Sequence, residues 1–138
     1  MKYSFIIPVF NRPEEVDELL RSLSEQTLSD FEVIVVEDGS SRPCDTIVEG
    51  YKGSIDVHYY LKQNSGPGQS RNYGADRSQG EYLIILDSDC VLPPGYLKAV
   101  DDELRNSPSD AFGGPDRAHS SFTATQKAIS YSMTSFFT

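Results

Sequence analysis

Residues 82–89 constrain this chain more than any other stretch. Five consecutive apolar residues, Tyr82-Leu83-Ile84-Ile85-Leu86, run directly into Asp87-Ser88-Asp89. Gly80 precedes the run and Pro93-Pro94-Gly95 follow it. That length, bounded by turn residues, marks a strand buried on both faces. Such strands belong to parallel sheets covered by helices, with ligands bound beyond their carboxyl ends. Asp87 and Asp89 stand at that end. Strand alternation would send both side chains one way and Ser88 the other. Two carboxylates aimed together make a hard oxygen site suited to Mg²⁺ or Mn²⁺, with positions left open for a ligand's phosphates. The plainer alternative is that they cap the following turn.

The rest of the chain supplies the partners that such a strand needs. Tyr3 to Phe10 reads as a first buried strand, with Pro8 limiting hydrogen bonding near its end. Asn11 is placed to cap a helix that tolerates Pro13 in its first turn. Val16, Leu19, Leu20 and Leu23 then recur at helical spacing, so that helix runs to about Gln26. Phe31 to Val36 is a second strand, ending in Glu37-Asp38-Gly39-Ser40-Ser41. A short helix around Asp45 to Tyr51 leads to a third strand from Asp56 to Leu61. A glycine-punctuated loop and helix then precede the central strand, and a helix follows from Pro94 to Asn106 with Tyr96, Leu97, Val100 and Leu104 inward. Ala111-Phe112-Gly113-Gly114 begins another strand, and a helix is expected farther on, with Ala124, Ala128, Ile129, Met133 and Phe136-Phe137 as its apolar members. Strands alternating with helices predict an α/β fold with a mainly parallel sheet.

At 138 residues the chain is one domain by length, large enough for a core without staples. A formal charge of −9 and the lack of a Lys/Arg cluster exclude nucleic acid as a natural partner, and argue against docking on anionic lipid. Cys44 and Cys90 fit no metal-ligand spacing and no disulfide scaffold, which points to a reducing, cytoplasmic setting. The apolar run at the start, Phe5 to Phe10, is short, interrupted by Pro8 and not followed by a cleavage site, so it is not read as a signal peptide.

Three further polar groups fall at strand ends. Pro8-Val9-Phe10-Asn11 presents backbone and an aromatic ring. Asp38-Gly39-Ser40 offers a carboxylate that can accept from a ligand's N–H or O–H, or close a local turn with Gly39. Asn64 to Gly74 carries glycines at 66 and 68 ahead of a helix whose first amides favour anions. Arg71 lies about a turn into that helix. By itself it could equally be a surface residue paired with Asp76 or Glu81.

Together these motifs resemble the nucleotide-binding half of a family 2 glycosyltransferase with the three-layer α/β/α, Rossmann-like GT-A fold. The resemblance covers essentially the whole chain. The family's "V-D-D-G-S" segment matches Val36-Glu37-Asp38-Gly39-Ser40, its "N-x-G-x-x-x-A-R-N-x-G" matches Asn64 through Gly74, and its Asp-x-Asp matches Asp87-Ser88-Asp89. Phe10, Glu37 and Ser70 depart from the family's usual Tyr, Asp and Ala. The resemblance implies that Pro8, Phe10, Asp38, Arg71 and Asp87 hold a nucleotide-sugar donor, UDP-linked, and that Asp89 with Asp87 coordinates Mn²⁺ or Mg²⁺. It implies inverting transfer to a hydroxyl on a saccharide, lipid-linked or other acceptor.

The family's catalytic base is a carboxylate in an acidic motif well past the metal site. After Asp89 the carboxylates are Asp101, Asp102, Glu103, Asp110 and Asp116; none sits in such a motif, and the first three are expected on the exposed side or at the start of a helix. Residues 1–114 are therefore expected to form the donor-binding domain. Residues 115–138 would begin an acceptor-side region, leaving the sheet incomplete at the C-terminus, the base beyond Thr138, and any membrane association to a longer protein. The apolar helix near the end would favour self-association. Two alternatives use the same residues. A haloacid-dehalogenase-type phosphatase would take Asp87 as nucleophile and Asp89 as acid/base, but needs a downstream lysine and a further acidic pair at strand ends, and neither Lys98 nor Lys127 is expected to follow a strand. A non-catalytic nucleotide- or metal-binding module of the receiver type would take Glu37-Asp38 as its acidic pair.

Overall fold

Phe5, Ile7 and Val9 leave one side of the first strand, and Ser4 and Ile6 leave the other, so the core divides in two. A computed structural model describes residues 3–106 and, as backbone, the strand at Lys127–Ser130. Its elements are β1 (Tyr3–Val9), α1 (Pro13–Ser24), β2 (Phe31–Asp38), α2 (Asp45–Tyr51), β3 (Val57–Lys62), α3 (Pro67–Arg77), β4 (Tyr82–Ile85), α4 (Tyr96–Asn106) and β5 (Lys127–Ser130). The larger core lies on one face of the sheet. There Phe5, Ile7, Val33, Val35 and Ile84 meet Leu19, Leu20 and Leu23 of α1, Val48 of α2, and Leu97 and Val100 of α4. The smaller one, Ile6, Ile34, Val36 and Ile85, lies on the face that α3 covers. Gly74 lets α3 approach closely. A Cβ there would come within 2.7 Å of the Ile6 Cγ2 and 3.2 Å of the Val36 Cγ2.

All strands pair in parallel, in the order β3-β2-β1-β4-β5. Tyr3 stands beside Phe31 on one side and Tyr82 on the other, so β1 is central. The chain steps outward from β1 to β2 and β3, then returns past β1 to place β4. That reversal makes the crevice between β1 and β4 the switch point at which such sheets bind ligands. The same order removes the receiver-type alternative, whose sheets run 2-1-3-4-5.

Three expectations change in detail. Asn11 does not cap α1. The cap position is Arg12, without a side-chain hydrogen bond. Asn11 adopts a left-handed φ of 54° and ties the end of β1 to the loop after β2. Its amide donates to Ser40 Oγ at 2.8 Å, and its Oδ1 accepts from the Arg42 amide at 2.9 Å. Asp101, expected on the exposed side of its helix, is 3% exposed. It accepts from the Tyr3 hydroxyl at 2.6 Å and pairs with Arg105 at 3.0 Å, because it follows Val100 on the face turned toward β1.

The third change is larger. The helix expected around Ala128 and Ile129 is a strand at Lys127–Ser130, pairing with β4 from Tyr82↔Lys127 to Ile85↔Ser130. A short apolar run carries no period that separates helix from strand. The free edge of β4 supplies the hydrogen-bonding partner that decides it. The expected strand at Ala111 to Gly114, the boundary at 114, Met133 and Phe136-Phe137 lie outside the described residues.

Candidate functional site

Beyond the carboxyl ends of β1 and β4 lies a cleft of about 410 Å³, lined by Pro8, Phe10, Arg12, Pro67, Arg71, Asp87, Ser88 and Asp89. β1 delivers the first two of these. Phe10 follows its last residue and is 50% exposed, an unusual position for a large apolar ring. α3 delivers Pro67 and Arg71 from its first turns.

The aspartates arrive by a route different from the one expected. β4 ends at Ile85, and Leu86 adds one more sheet bond, its amide donating to the Ile6 carbonyl at 3.0 Å. The chain then turns, with the Cys90 amide donating to the Asp87 carbonyl at 3.1 Å. This turn, rather than strand alternation, exposes Asp87 and Asp89 together and buries Ser88. Among the described residues neither carboxylate makes a hydrogen bond or ion pair. Two unengaged oxygen donors on one turn fit a divalent cation that keeps its other positions for water and phosphate.

Asp38 is the sequence-predicted residue that does not line the cleft. β2 runs two residues farther than expected, so Glu37 and Asp38 both lie on the strand and both are buried. The register sets Asp38 beside Lys62, whose ammonium donates to Oδ1 at 2.7 Å. The same oxygen accepts from the Ser65 amide at 2.8 Å, and Oδ2 accepts from the Gly66 amide at 2.9 Å. Burial pushes this carboxyl's pKa up, and Lys62 with the two amides outweighs it, holding the group below the usual carboxylate range. Asp38 thus fixes the loop that leads into α3 and positions Pro67 and Arg71.

Glu37 does the equivalent work on the other side of the strand end. Its Oε1 accepts from the Cys44 amide at 2.7 Å and the Tyr59 hydroxyl at 2.9 Å, and Oε2 accepts from Ser40 Oγ. Burial first and Glu37 second push the Tyr59 hydroxyl's pKa up. Gly39 lies between these anchors at φ 67°, with the Asn64 amide nitrogen 2.7 Å from where a Cβ would sit. Only glycine fits there without displacing backbone.

Arg12 was missed by the sequence reading. It is exposed and contributes no capping bond, and its position two residues past Phe10 was the available signal. Ser70, where the family has Ala, is fully buried, and its Oγ has no hydrogen-bond partner among the described residues. Ser70→Ala should therefore raise stability by about 1 kcal/mol, read as a higher urea midpoint at an unchanged slope. A lower midpoint would show that the hydroxyl has a partner in solution.

The family model for glycosyl transferase family 2 matches residues 4–137. A β-1,3-glucosyltransferase from Campylobacter jejuni, acting on GalNAc(5)-diNAcBac-PP-undecaprenol, is 32% identical over 115 residues, covering 81% of this chain and 37% of that enzyme. The poly(ribitol-phosphate) β-N-acetylglucosaminyltransferase TarS of Staphylococcus aureus is 39% identical over 102 residues, covering 71% of this chain and 18% of TarS. The chain therefore spans well under half the length of these relatives. The structure of S. aureus TarS in complex with UDP-GlcNAc superposes with a TM-score of 0.76 at 31% identity, covering 87% of this chain and 38% of that one. A mannosyltransferase from Pyrobaculum calidifontis, solved with GDP-Man and Mn²⁺, shares the fold with a TM-score of 0.74 at 20% identity. In sequence over nearly its whole length, and in the fold of its sheet, this chain belongs to glycosyl transferase family 2.

Proposed function

We propose that the cleft binds the nucleoside diphosphate of a sugar donor, UDP-linked, for inverting transfer to a hydroxyl of a saccharide, lipid-linked or other acceptor. One observation carries this reading. An aromatic ring, two arginines and two unengaged aspartates from three separate elements converge at the β1/β4 switch point. The arginines and aspartates cancel in charge, so a divalent cation would leave the site complementary to a donor diphosphate. The UDP-GlcNAc complex of TarS supports the choice of nucleotide.

In this reading Pro8 and Phe10 pack against the base and ribose, and Arg12 and Arg71 face the diphosphate. Asp87 contacts ribose or sugar and shares the metal with Asp89. Asp38 contributes through the loop it holds and through the free lone pair of Oδ2, which can accept from the base. A bound Mn²⁺ or Mg²⁺ would stabilise the charge gathering on the departing diphosphate. The base for the acceptor hydroxyl stays unassigned. Among the described carboxylates after Asp89, Asp101 is bound to Tyr3 and Arg105, Asp102 pairs with Lys98 at 2.8 Å, and none lines the cleft. After Asp89, Lys98 lies within α4 and Lys127 opens β5, so among the described residues no downstream lysine follows a strand as the phosphatase alternative requires.

Thermal unfolding with nucleotides tests the reading. UDP should raise the melting temperature only slightly without metal and clearly with Mn²⁺, because at ~100 times the dissociation constant a ligand adds about 2.7 kcal/mol. An unchanged melting temperature with millimolar UDP and Mn²⁺ in a folded sample would refute it.

A further inference from the structure

At the opposite edge of the sheet, where β2 and β3 begin, Glu32, Asp56 and His58 bring one ligand atom each to within 4.8 Å of the others. Glu32 lies six residues before Asp38 on β2, about 20 Å from the cleft end at ~3.3 Å per residue. Its side chain is only 3% exposed. Ser4 Oγ and the Gln79 amide both donate to Oε2 at 2.6 Å, which aims the remaining oxygen, Oε1, at His58 Nε2 3.7 Å away. His58 Nε2 is also 3.0 Å from Asp56 Oδ1. Asp56 is held in place by its own carbonyl, which accepts from the Val33 amide at 2.8 Å.

We propose that Glu32, Asp56 and His58 form a second cation site, for a divalent transition metal of the Zn²⁺ class, clamping the start of the edge strand β3 to β2. With bonds of about 2.0–2.2 Å, a tetrahedral zinc sets its ligand atoms about 3.3 Å apart. The two separations at His58 Nε2, 3.0 and 3.7 Å, straddle that value. An imidazole beside two carboxylates favours Zn²⁺ over Mg²⁺, which prefers an all-oxygen shell. A buried carboxylate oriented by two donors supplies the outer-shell support of metal ligands. The ion replaces the proton on Nε2, and water takes the fourth position. Binding ties together strands that the folded chain alone brings into reach, so it stabilises the fold.

Calorimetric titration of the metal-free chain with Zn²⁺ tests this, using Asp87→Asn/Asp89→Asn to silence the cleft aspartates. One saturable Zn²⁺ per chain should remain in that double variant. Adding His58→Gln should weaken it at least about 100-fold, since losing even an outer-shell partner costs about 10–100-fold. Asp56→Asn should act similarly. Both residues are exposed, so circular dichroism should show an unchanged fold. The absence of saturable Zn²⁺ binding in the double variant, or binding undiminished by His58→Gln, would overturn the proposal.

Discussion

Asp38→Ala should destabilise the chain by about 3 kcal/mol, the low end of the cost of removing one partner from a buried ion pair. The Lys62 ammonium, whose side chain is 12% exposed, loses its carboxylate, and the Ser65 and Gly66 amides lose their acceptor. Lys62 keeps the Gln63 carbonyl at 2.8 Å and Ser65 Oγ, which is why the low end applies. Asp38→Asn retains an acceptor for one oxygen's partners but turns an N–H toward another donor, so it should cost less. Both variants should bind nucleotide more weakly with or without metal, because the loop that positions Arg71 loosens. Urea unfolding gives the stability term, and a cost below 1 kcal/mol for Asp38→Ala would show that Lys62 and the loop hold each other without it.

The same group makes stability depend on acid. Its pKa in the fold lies below the unfolded value of about 3.9. A depressed pKa means the folded state favours the charged form, so this stabilisation is complete above about pH 4 and is lost as pH falls through the folded value. Wild type should therefore lose stability between pH 4 and more acid conditions more steeply than Asp38→Asn. Parallel curves would remove Asp38 from the acid transition.

Asp89→Asn should remove the metal-dependent part of nucleotide binding while the fold stays intact. The substitution keeps shape and removes charge, at a residue that is exposed and makes no hydrogen bond or ion pair among the described residues. The Mn²⁺-dependent rise in melting temperature with UDP should vanish, and the small metal-independent rise should remain. Asp38→Asn should instead lower both together. If titrations gave the two variants the same metal dependence, the assignment of Asp89 to the cation and of Asp38 to the nucleotide side would be wrong.

The local signals in the chain were enough to locate most of its elements. Leucines at helical spacing placed α1, and unbroken apolar runs placed β1, β2 and β4, because one turn of helix or one pleat of strand exposes its preference within a few residues. The place of the Asp-x-Asp just past β4 was legible for a similar reason. Its meaning depends on which end of a buried parallel strand it occupies, and that end is written in the same ten residues.

What a side chain faces is a different matter. Asp38 and Lys62 are 24 residues apart and meet only because β2 and β3 pair in one register. Arg12 lines one cleft with Asp87 and Asp89, far from it in the chain, only because β1 and β4 pair. Lys127–Ser130 becomes a strand only because β4 offers an open edge. Glu32, Asp56 and His58 fit no sequence motif, yet converge where two strands begin. Hydrophobic periodicity acts over neighbouring residues and is legible one segment at a time. Cross-strand register and sheet order join distant segments, so the partners of buried charges, the place of Arg12 in the cleft and the absence of Asp38 from its lining were decided by the tertiary structure.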